Sequence, residues 1–208
     1  MGTKRLIAAA ALVGTVFAGL GQAHAGVVPF TSPTGNLGPT QDYPSTDPAG
    51  GFIVATAEGS CAPNCSLTGT NASPTDQGVG ITGNFDNLIV AGTFVQLDLS
   101  NLIVPPLTPL TFQASGLTGD PMWEVFGTNT ADTLVGATLL LSGMDGSVDG
   151  IPTPVIGVFQ FLDVTVADPQ DNPGILLAQI GILVPEPASL TLLATAFLGF
   201  GVLRRRRR

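Results

Sequence analysis

The residues of this chain that could do chemistry are carboxylates and one close pair of cysteines. Between Gly26 and Val184 the sequence has 14 acidic side chains and no Lys, Arg or His. Histidine-activated nucleophiles, Schiff-base lysines and cationic clamps for phosphoryl transfer are therefore excluded from this stretch. Histidine-ligated metals are excluded as well, and so is nucleic-acid binding, which needs basic residues to neutralise phosphates. Carboxylate chemistry, oxygen-ligated cations or no chemistry remain.

Glycan cleavage is the enzymatic reaction open to such a chain. A glycosidase needs two carboxyl groups about 5–9.5 Å apart on either side of the sugar bond, and Glu58 and Glu124 are the two glutamates of this stretch. Most of the aspartates fall in turn sequences instead, where they favour the turn and keep the surface soluble. We therefore predict that the protein is not an enzyme. A carboxylate-dependent glycan hydrolase or lyase is the alternative.

Calcium binding is a second use for unpaired carboxylates. Carboxylates without counter-cations repel each other, and Ca²⁺ binds carboxylate and carbonyl oxygens in loops. The candidate ligands lie in two turn segments that match neither the EF-hand nor the nonapeptide calcium pattern: Asp145 and Asp149, and Asp168 and Asp171. The expected cofactor is none, or calcium, and a calcium-stabilised adhesion module is a further alternative function.

The two cysteines and two aromatic residues complete the set of candidates. Cys61 and Cys65 are the only cysteines, and an even count in an exported chain predicts a disulfide. Their spacing is C-x3-C rather than the redox C-x-x-C, and a redox or metal pair is the alternative. Trp123 and Tyr43 could stack on sugar rings, whereas the position of Trp123 in a β-prone run favours packing in the core.

The elements that must position these residues are short β-prone runs separated by turn residues. In residues 93–99, apolar side chains at 95, 97 and 99 alternate with polar ones at 96 and 98, a period typical of a half-buried strand. The predicted runs are 52–56, 79–85, 87–91, 93–99, 110–114, 122–126, 135–141, 155–166 and 175–183. This pattern predicts an all-β domain, a β-sandwich or jelly roll, over residues 51–184. Residues 26–50 are dense in Pro, Gly, Ser and Thr and are predicted to form an extended or loosely packed leader.

Residues 1–25 have the form of a cleaved signal peptide. A charged start precedes an apolar run and a small-x-small cleavage site. These parts are Lys4 and Arg5, residues 6–20, and Ala23 and Ala25, with cleavage expected before Gly26. The apolar run is shorter than the roughly 20 residues of a spanning helix, which favours a signal peptide over the alternative of an N-terminal membrane anchor.

The other end of the chain also has three parts in order. Pro185, Glu186 and Pro187 precede an apolar run at 190–203, which is followed by Arg204, Arg205, Arg206, Arg207 and Arg208. The apolar run is marginal for a full span, but arginine snorkelling extends it. Arginines are retained on the cytoplasmic side of a membrane. We therefore predict a C-terminal membrane helix that holds the body outside the inner membrane, with the prolines separating the tail from the body.

This tail, residues 184–208, resembles the PEP-CTERM sorting signal of Gram-negative bacteria that make exopolysaccharide. The resemblance implies processing near residues 185–187 by an exosortase, a membrane-embedded cysteine protease, and delivery to the cell surface or extracellular matrix. An ordinary C-terminal anchor is the alternative, although it does not need Pro-Glu-Pro. Such tails are joined to many unrelated bodies, so the tail predicts a location and says little about function.

Two segments of the body are similar to strands of discoidin-like and galactose-binding-like jelly rolls. Residues 123–129, WEVFGTN, resemble the W-x-V-Y/F-G-S/T-N strand, and residues 159–166 resemble the late aromatic-x-aromatic strand. Residues 175–180 then fit the closing strand of that group. The basic residues with which such domains often grip sugars or anionic lipids are absent here, so the resemblance implies a fold and leaves the ligand open.

Together these observations predict an exported, exosortase-sorted protein of the cell surface or matrix. Its expected role is non-enzymatic, structural or weakly carbohydrate-binding. The expected partners are the exosortase, signal peptidase and the export machinery, an extracellular polysaccharide, and the inner membrane transiently through the C-terminal helix. Removal of both ends, residues 1–25 and 185–208, leaves a body with 14 acidic and no basic side chains, which favours neutral sugars or cations as ligands.

Overall fold

Two antiparallel β-sheets form the body of the protein in the computed structural model. The structure describes residues 24–46, 49–73, 76–83, 87–118, 121–144, 146–151, 154–167 and 174–184. The strands are β1 His24–Pro29, β2 Gly35–Gly38, β3 Thr40–Pro44, β4 Gly50–Gly59, β5 Leu67–Ser73, β6 Asp76–Ile81, β7 Ile89–Val90, β8 Thr93–Asp98, β9 Leu102–Ile103, β10 Leu110–Thr118, β11 Trp123–Thr128, β12 Thr138–Gly143, β13 Val148–Gly150, β14 Phe161–Val166 and β15 Gly174–Val184. The predicted all-β sandwich is confirmed, and the jelly-roll resemblance is consistent with these sheets.

The strands divide between an eight-stranded and a seven-stranded sheet. Sheet I has the order β13-β10-β15-β6-β5-β2, with β1 and β7 also pairing with β15. Sheet II has the order β12-β11-β14-β8-β4-β3, with β9 pairing with β4. Strands that are neighbours in a sheet are mostly distant in the chain. Long-range contacts of this kind bring together residues whose proximity no local sequence pattern reveals.

A single apolar core lies between the two sheets. The alternation predicted for residues 93–99 is present: Val95 and Leu97 are fully buried in the core, and Gln96 faces the other side of sheet II. Phe112 of sheet I and Trp123 of sheet II meet across the core with ring centroids 4.7 Å apart. Gly143 lies opposite Trp123 on the neighbouring strand, where a Cβ would approach the indole ring to 2.2 Å. This glycine therefore gives the indole its space.

Residues 26–50, predicted to form an extended or loosely packed leader, are extended as strands but are not loosely packed, and they belong to the sandwich. The segment supplies most of β1 and all of β2 and β3, which pair with β15, β5 and β4 respectively. Phe30 and Tyr43 are fully buried, with their ring centroids 4.6 Å apart. The prolines and glycines of this segment turn the chain between short strands, and each strand needs only one or two large apolar residues to join the core.

Strand β5 was not predicted because its sequence, LTGTNAS, has one large apolar residue. Leu67 is the one large side chain of β5 that is buried in the core. Gly69 allows the backbone of another segment to approach closely. A Cβ at Gly69 would lie 2.0 Å from the carbonyl oxygen of Pro33. Hydrogen bonding to β2 and β6 therefore stabilises this strand, although its sequence has few apolar side chains that would predict it.

Of the two predicted sorting segments, the structure describes only the residues that adjoin the body. A compact unit spans Ala25–Val184, and β1 begins at His24, just before the predicted cleavage site. Within the described residues there is no helix long and apolar enough to cross a membrane. The predicted signal run at 6–20 and the predicted membrane helix at 190–203 lie outside those residues, so both stay predictions on structural grounds.

Candidate functional site

The predicted disulfide between Cys61 and Cys65 is confirmed, with a Cα–Cα distance of 5.0 Å. It closes the turn that follows β4, where the Ala62 N–H donates to the Gly59 carbonyl and the Asn64 N–H donates to that of Cys61. Cys65 is buried in the core. The described part of the chain has no free cysteine, and the pair clips a turn to the core.

Core packing, the favoured interpretation of Trp123, is confirmed, and the alternative that Trp123 or Tyr43 stacks on a sugar ring is wrong. Both side chains are fully buried between the sheets. The Trp123 ring is covered by Phe112 on one side and lies over Gly143. An aromatic ring must have an open face to stack on a sugar, and each of these rings stabilises the core instead.

The four predicted calcium ligands are only partly in the described region. Asp145, Asp168 and Asp171 lie outside it. Asp149 lies on β13, where its Oδ2 accepts a hydrogen bond from the Ser147 hydroxyl at 3.1 Å. Among residues that the structure describes, no group of three or more His, Cys, Asp or Glu side chains is arranged to hold a metal ion. Calcium binding at the four aspartates stays a prediction.

The two glutamates of the alternative glycosidase are not brought together. Cross-strand pairing places Glu124, Thr165, Phe94 and Glu58 in one row across β11, β14, β8 and β4. With strands about 4.8 Å apart, three spacings separate the glutamate backbones by about 14 Å. The two glutamates are therefore not neighbours in sheet II.

Glu58 belongs instead to a group of three acidic residues on the outer face of sheet II, the carboxyl cluster of Glu58, Asp132 and Asp163. Burial, the negative charge of Asp132 and a hydrogen bond with the Asp132 side chain together raise the pKa of the Glu58 carboxyl. Asp132 lies in the loop between β11 and β12 with a positive φ of 62°. Its N–H donates to Gln96 Oε1 at 3.2 Å, which ties the loop to the sheet.

Asp163 is the buried member of the carboxyl cluster. Its side chain is fully buried, and its Oδ1 accepts a hydrogen bond from Gln96 Nε2 at 2.8 Å. Its Oδ2 is also buried and has no hydrogen-bond partner among the described residues. Burial raises the pKa of Asp163 to about 7, and the charge of Glu58 adds to the shift while the Gln96 amide opposes it. The protonated form is favoured because no cation of the body can neutralise this carboxylate.

Sequence reasoning missed the carboxyl cluster. Asp132 and Asp163 are 36 and 67 residues from Gln96, so no local spacing connects them. One signal for the cluster was available in the sequence. The alternation in β8 places Gln96 on the outer face of sheet II, where a buried amide needs polar partners. The hydrogen bond from the Asp132 N–H to Gln96 holds the β11–β12 loop on sheet II.

An open groove lies at one end of the sandwich, where β8 and β11 end and β14 begins. Its volume is about 510 Å³. Its lining, called the end groove below, has no charged side chain and consists of Leu99, Ser100, Leu102, Asn129, Ile156, Gly157, Val158, Phe159 and Gln160.

The groove wall is held in place by the WEVFGTN segment. Asn129 donates through Nδ2 to the Val158 carbonyl at 3.2 Å and accepts at Oδ1 from the Gln160 N–H at 2.8 Å. Phe159 packs over Gly127, where a Cβ would lie 2.7 Å from the ring. The glycine and asparagine of the motif therefore position the turn at 156–160, so the groove is formed before any ligand binds.

A comparison with protein families places the sorting residues. A family model described as the PEP-CTERM protein-sorting motif matches residues 183–208. The match includes Pro185, Glu186, Pro187 and the arginines 204–208, all of which lie outside the described residues. It begins at the last two residues of β15. No curated protein matches the chain.

The motif fixes the route of the protein. It is an exported protein sorted by an exosortase, which passes through a membrane-anchored intermediate and then reaches the cell surface. The match covers 26 of 208 residues, so it defines the tail and leaves the function of the body to the geometry of the body itself.

Proposed function

We propose that the protein is a non-enzymatic component of the cell surface or extracellular matrix, and that the end groove binds a segment of neutral polysaccharide weakly. One observation carries this proposal: an uncharged, preformed groove lies on a body with 14 acidic side chains and no basic ones. An anionic polymer would be repelled by such a body, whereas a neutral sugar chain meets no electrostatic barrier.

The groove has the chemistry that sugar rings require. Leu102, Ile156 and Phe159 offer apolar surface for the faces of a sugar, while exposed Ser100 and Gln160 offer groups for its hydroxyls. Because Asn129 already holds the turn, binding needs little ordering of the protein. The openness of the groove and its few polar groups favour weak binding, as expected of a matrix component that meets many copies of its ligand.

Binding of neutral glycans should weaken in variants of the groove rim. We expect Gln160→Ala to weaken binding about fivefold, because each neutral hydrogen bond contributes about 1 kcal/mol. Isothermal titration or a glycan array with the processed protein would measure this change. Asn71→Ala is the matched control, since it removes an exposed amide on β5. Equal binding by parent and Gln160→Ala, or no binding to any neutral polysaccharide, would contradict the glycan part of the proposal.

The alternative of a glycan hydrolase or lyase has one observation in its favour, the Glu58 and Asp132 carboxyls that share a hydrogen bond. Raised carboxyl pKa values occur at catalytic sites as well as in structural clusters. Turnover of a polysaccharide by the parent and its loss in Glu58→Gln would establish the enzyme. Binding to the end groove without turnover would support the proposal made here.

A further inference from the structure

The C-terminal tail leaves the body at the same end of the sandwich as the end groove. The last residues of β15 lie beside the start of β10: Ile182 pairs with Leu110, and the Leu183 N–H donates to the Pro109 carbonyl at 3.0 Å. The loop before β10 is joined in turn to the groove wall, because the Leu107 N–H donates to the Ile156 carbonyl at 2.8 Å. We call this part of the body, residues 99–110 and 154–160 with the end of β15, the exit end.

The exit end is an uncharged and partly apolar region of the body's surface. Residues 99–110 and 154–160 include no charged side chain. Three large apolar side chains project from it into solvent: Ile103 is 75% exposed, Leu107 58% and Val158 44%. Exposed apolar groups that lie together on a surface mark contact with a partner or a membrane.

Leu107 is also held in an unfavourable backbone conformation. Its φ is 64°, in the left-handed region that suits glycine and asparagine and disfavours leucine. The chain therefore accepts strain to present an apolar side chain outward at this position. Such strain persists where the surrounding structure fixes it, and it concentrates at functional positions.

The length of the tail limits how far this end can lie from the membrane. Residues 185–189 separate the end of β15 from the apolar run that starts at Leu190. Fully extended, the chain from Val184 to Leu190 spans about 20 Å. While the tail is attached, the exit end is the part of the body that the chain keeps close to the membrane.

The N-terminal end of the body lies near the same place. The Thr46 N–H donates to the Val27 carbonyl at 2.8 Å, and a Cβ at Gly26 would lie 2.7 Å from that of Ala49. The next residue, Gly50, pairs with Ile103. The first residues of the mature body and the end of β15 therefore both lie near the exit end.

We propose that the exit end rests on the outer surface of the inner membrane while the tail is attached, with Ile103, Leu107 and Val158 in contact with lipid, and that removal of the tail uncovers it. Charge allows this face to approach anionic lipid, since the acidic body is repelled wherever carboxylates are exposed, and the attachment of the tail beside residues 109 and 110 distinguishes it from other uncharged faces. The proposal rests on the sorting motif and does not depend on glycan binding. Val158 belongs to both surfaces, so release also opens the end groove.

The test uses the full-length chain in vesicles of phosphatidylcholine and phosphatidylglycerol that include spin-labelled lipid. An environment-sensitive fluorophore is attached at Leu107→Cys or, as the control, at Val135→Cys, which replaces an apolar side chain that is 86% exposed and lies in the β11–β12 loop. We expect a blue shift and strong lipid quenching at 107, little of either at 135, and loss of both at 107 after proteolytic removal of the tail. Equal quenching at the two positions, or quenching at 107 that survives tail removal, would overturn the proposal.

A second variant separates lipid contact from folding. Leu107→Asn suits the left-handed backbone and removes the apolar side chain, so we expect its Tm to equal or exceed that of the parent. A fluorophore at Ile103→Cys should nevertheless lose much of its quenching in this background. Unchanged quenching at 103 would show that Leu107 has a structural role alone. If the exit end contacts the exosortase rather than lipid, the fluorophore should show no lipid quenching in vesicles that lack the exosortase. Either result overturns the proposal, and neither bears on glycan binding.

Discussion

Cells that produce the protein with Pro185, Glu186 and Pro187 all replaced by alanine are expected to retain it in the membrane and to release almost none. The sorting motif covers these residues, and they lie between the last strand of the body and the apolar run. Proline cannot continue a strand or helix, so these residues are expected to separate the tail from the body. Alanines would remove the Pro-Glu-Pro side chains that the sorting motif includes.

Immunoblots of membrane and surface fractions, with and without an exosortase gene, measure this effect. The parent should appear at the surface as a shorter band only when the exosortase is present, and the triple variant should stay in the membrane at full length. Ser189→Ala is a suitable control, because it changes a residue two positions after Pro187 and leaves Pro-Glu-Pro intact. Release of the triple variant at the level of the parent would show that another feature of the tail is recognised.

The second large effect concerns stability. Asp163 has a folded-state pKa of about 7 against an ordinary value of 3.8. A raised carboxyl pKa favours the folded state fully below the ordinary value, and this contribution is lost as the pH rises to the folded-state value. Between about pH 4 and pH 7 the free energy of unfolding should therefore fall by about 1.4 kcal/mol per pH unit, or roughly 4 kcal/mol in total. Glu58 adds to the slope in the same direction, since its pKa is also raised.

Asp163→Asn should remove most of that slope. Asparagine keeps the carbonyl oxygen that accepts from Gln96 and carries no charge, so we expect the variant to unfold with a free energy about 2–4 kcal/mol higher than the parent at pH 8. Urea titrations from pH 4 to pH 8 measure both quantities. Asp98→Asn makes the same charge change on the same sheet face at a partly exposed side chain, and it is the control because it leaves Asp163 in place. A destabilised Asp163→Asn at pH 8 would contradict the assignment of a buried carboxyl with a raised pKa.

The sandwich could be predicted because several of its core strands have a recognisable pattern within their own short sequences. Val95 and Leu97 alternate with polar residues, and β11 and β14 were found from their aromatic and β-branched runs. The disulfide was predictable because two cysteines close together have one partner each. The sorting tail was predictable because its three parts are contiguous in sequence.

Other features depend on contacts between distant residues and could not be predicted locally. Phe30 and Tyr43 are isolated apolar residues in a Pro- and Gly-rich segment, and only the strands of the two sheets show that they are buried together. The sequence left sugar stacking open as an alternative for Trp123, and the contact with Phe112 across the two sheets shows that the ring is in the core. The carboxyl cluster forms because the β11–β12 loop folds back over the sheet, where the Asp132 N–H donates to Gln96. Any residue except proline can donate such a backbone hydrogen bond, so the residue type at 132 does not predict it.

The central claim is that the body is an exported domain freed from a C-terminal sorting tail. Intact-mass spectrometry of the protein recovered from the cell surface tests it most directly, since it reads both ends of the same molecule. We predict a chain that starts at Gly26, ends near residues 185–187 and includes none of the arginines 204–208. A surface form that still ends at Arg208 would contradict removal of the tail.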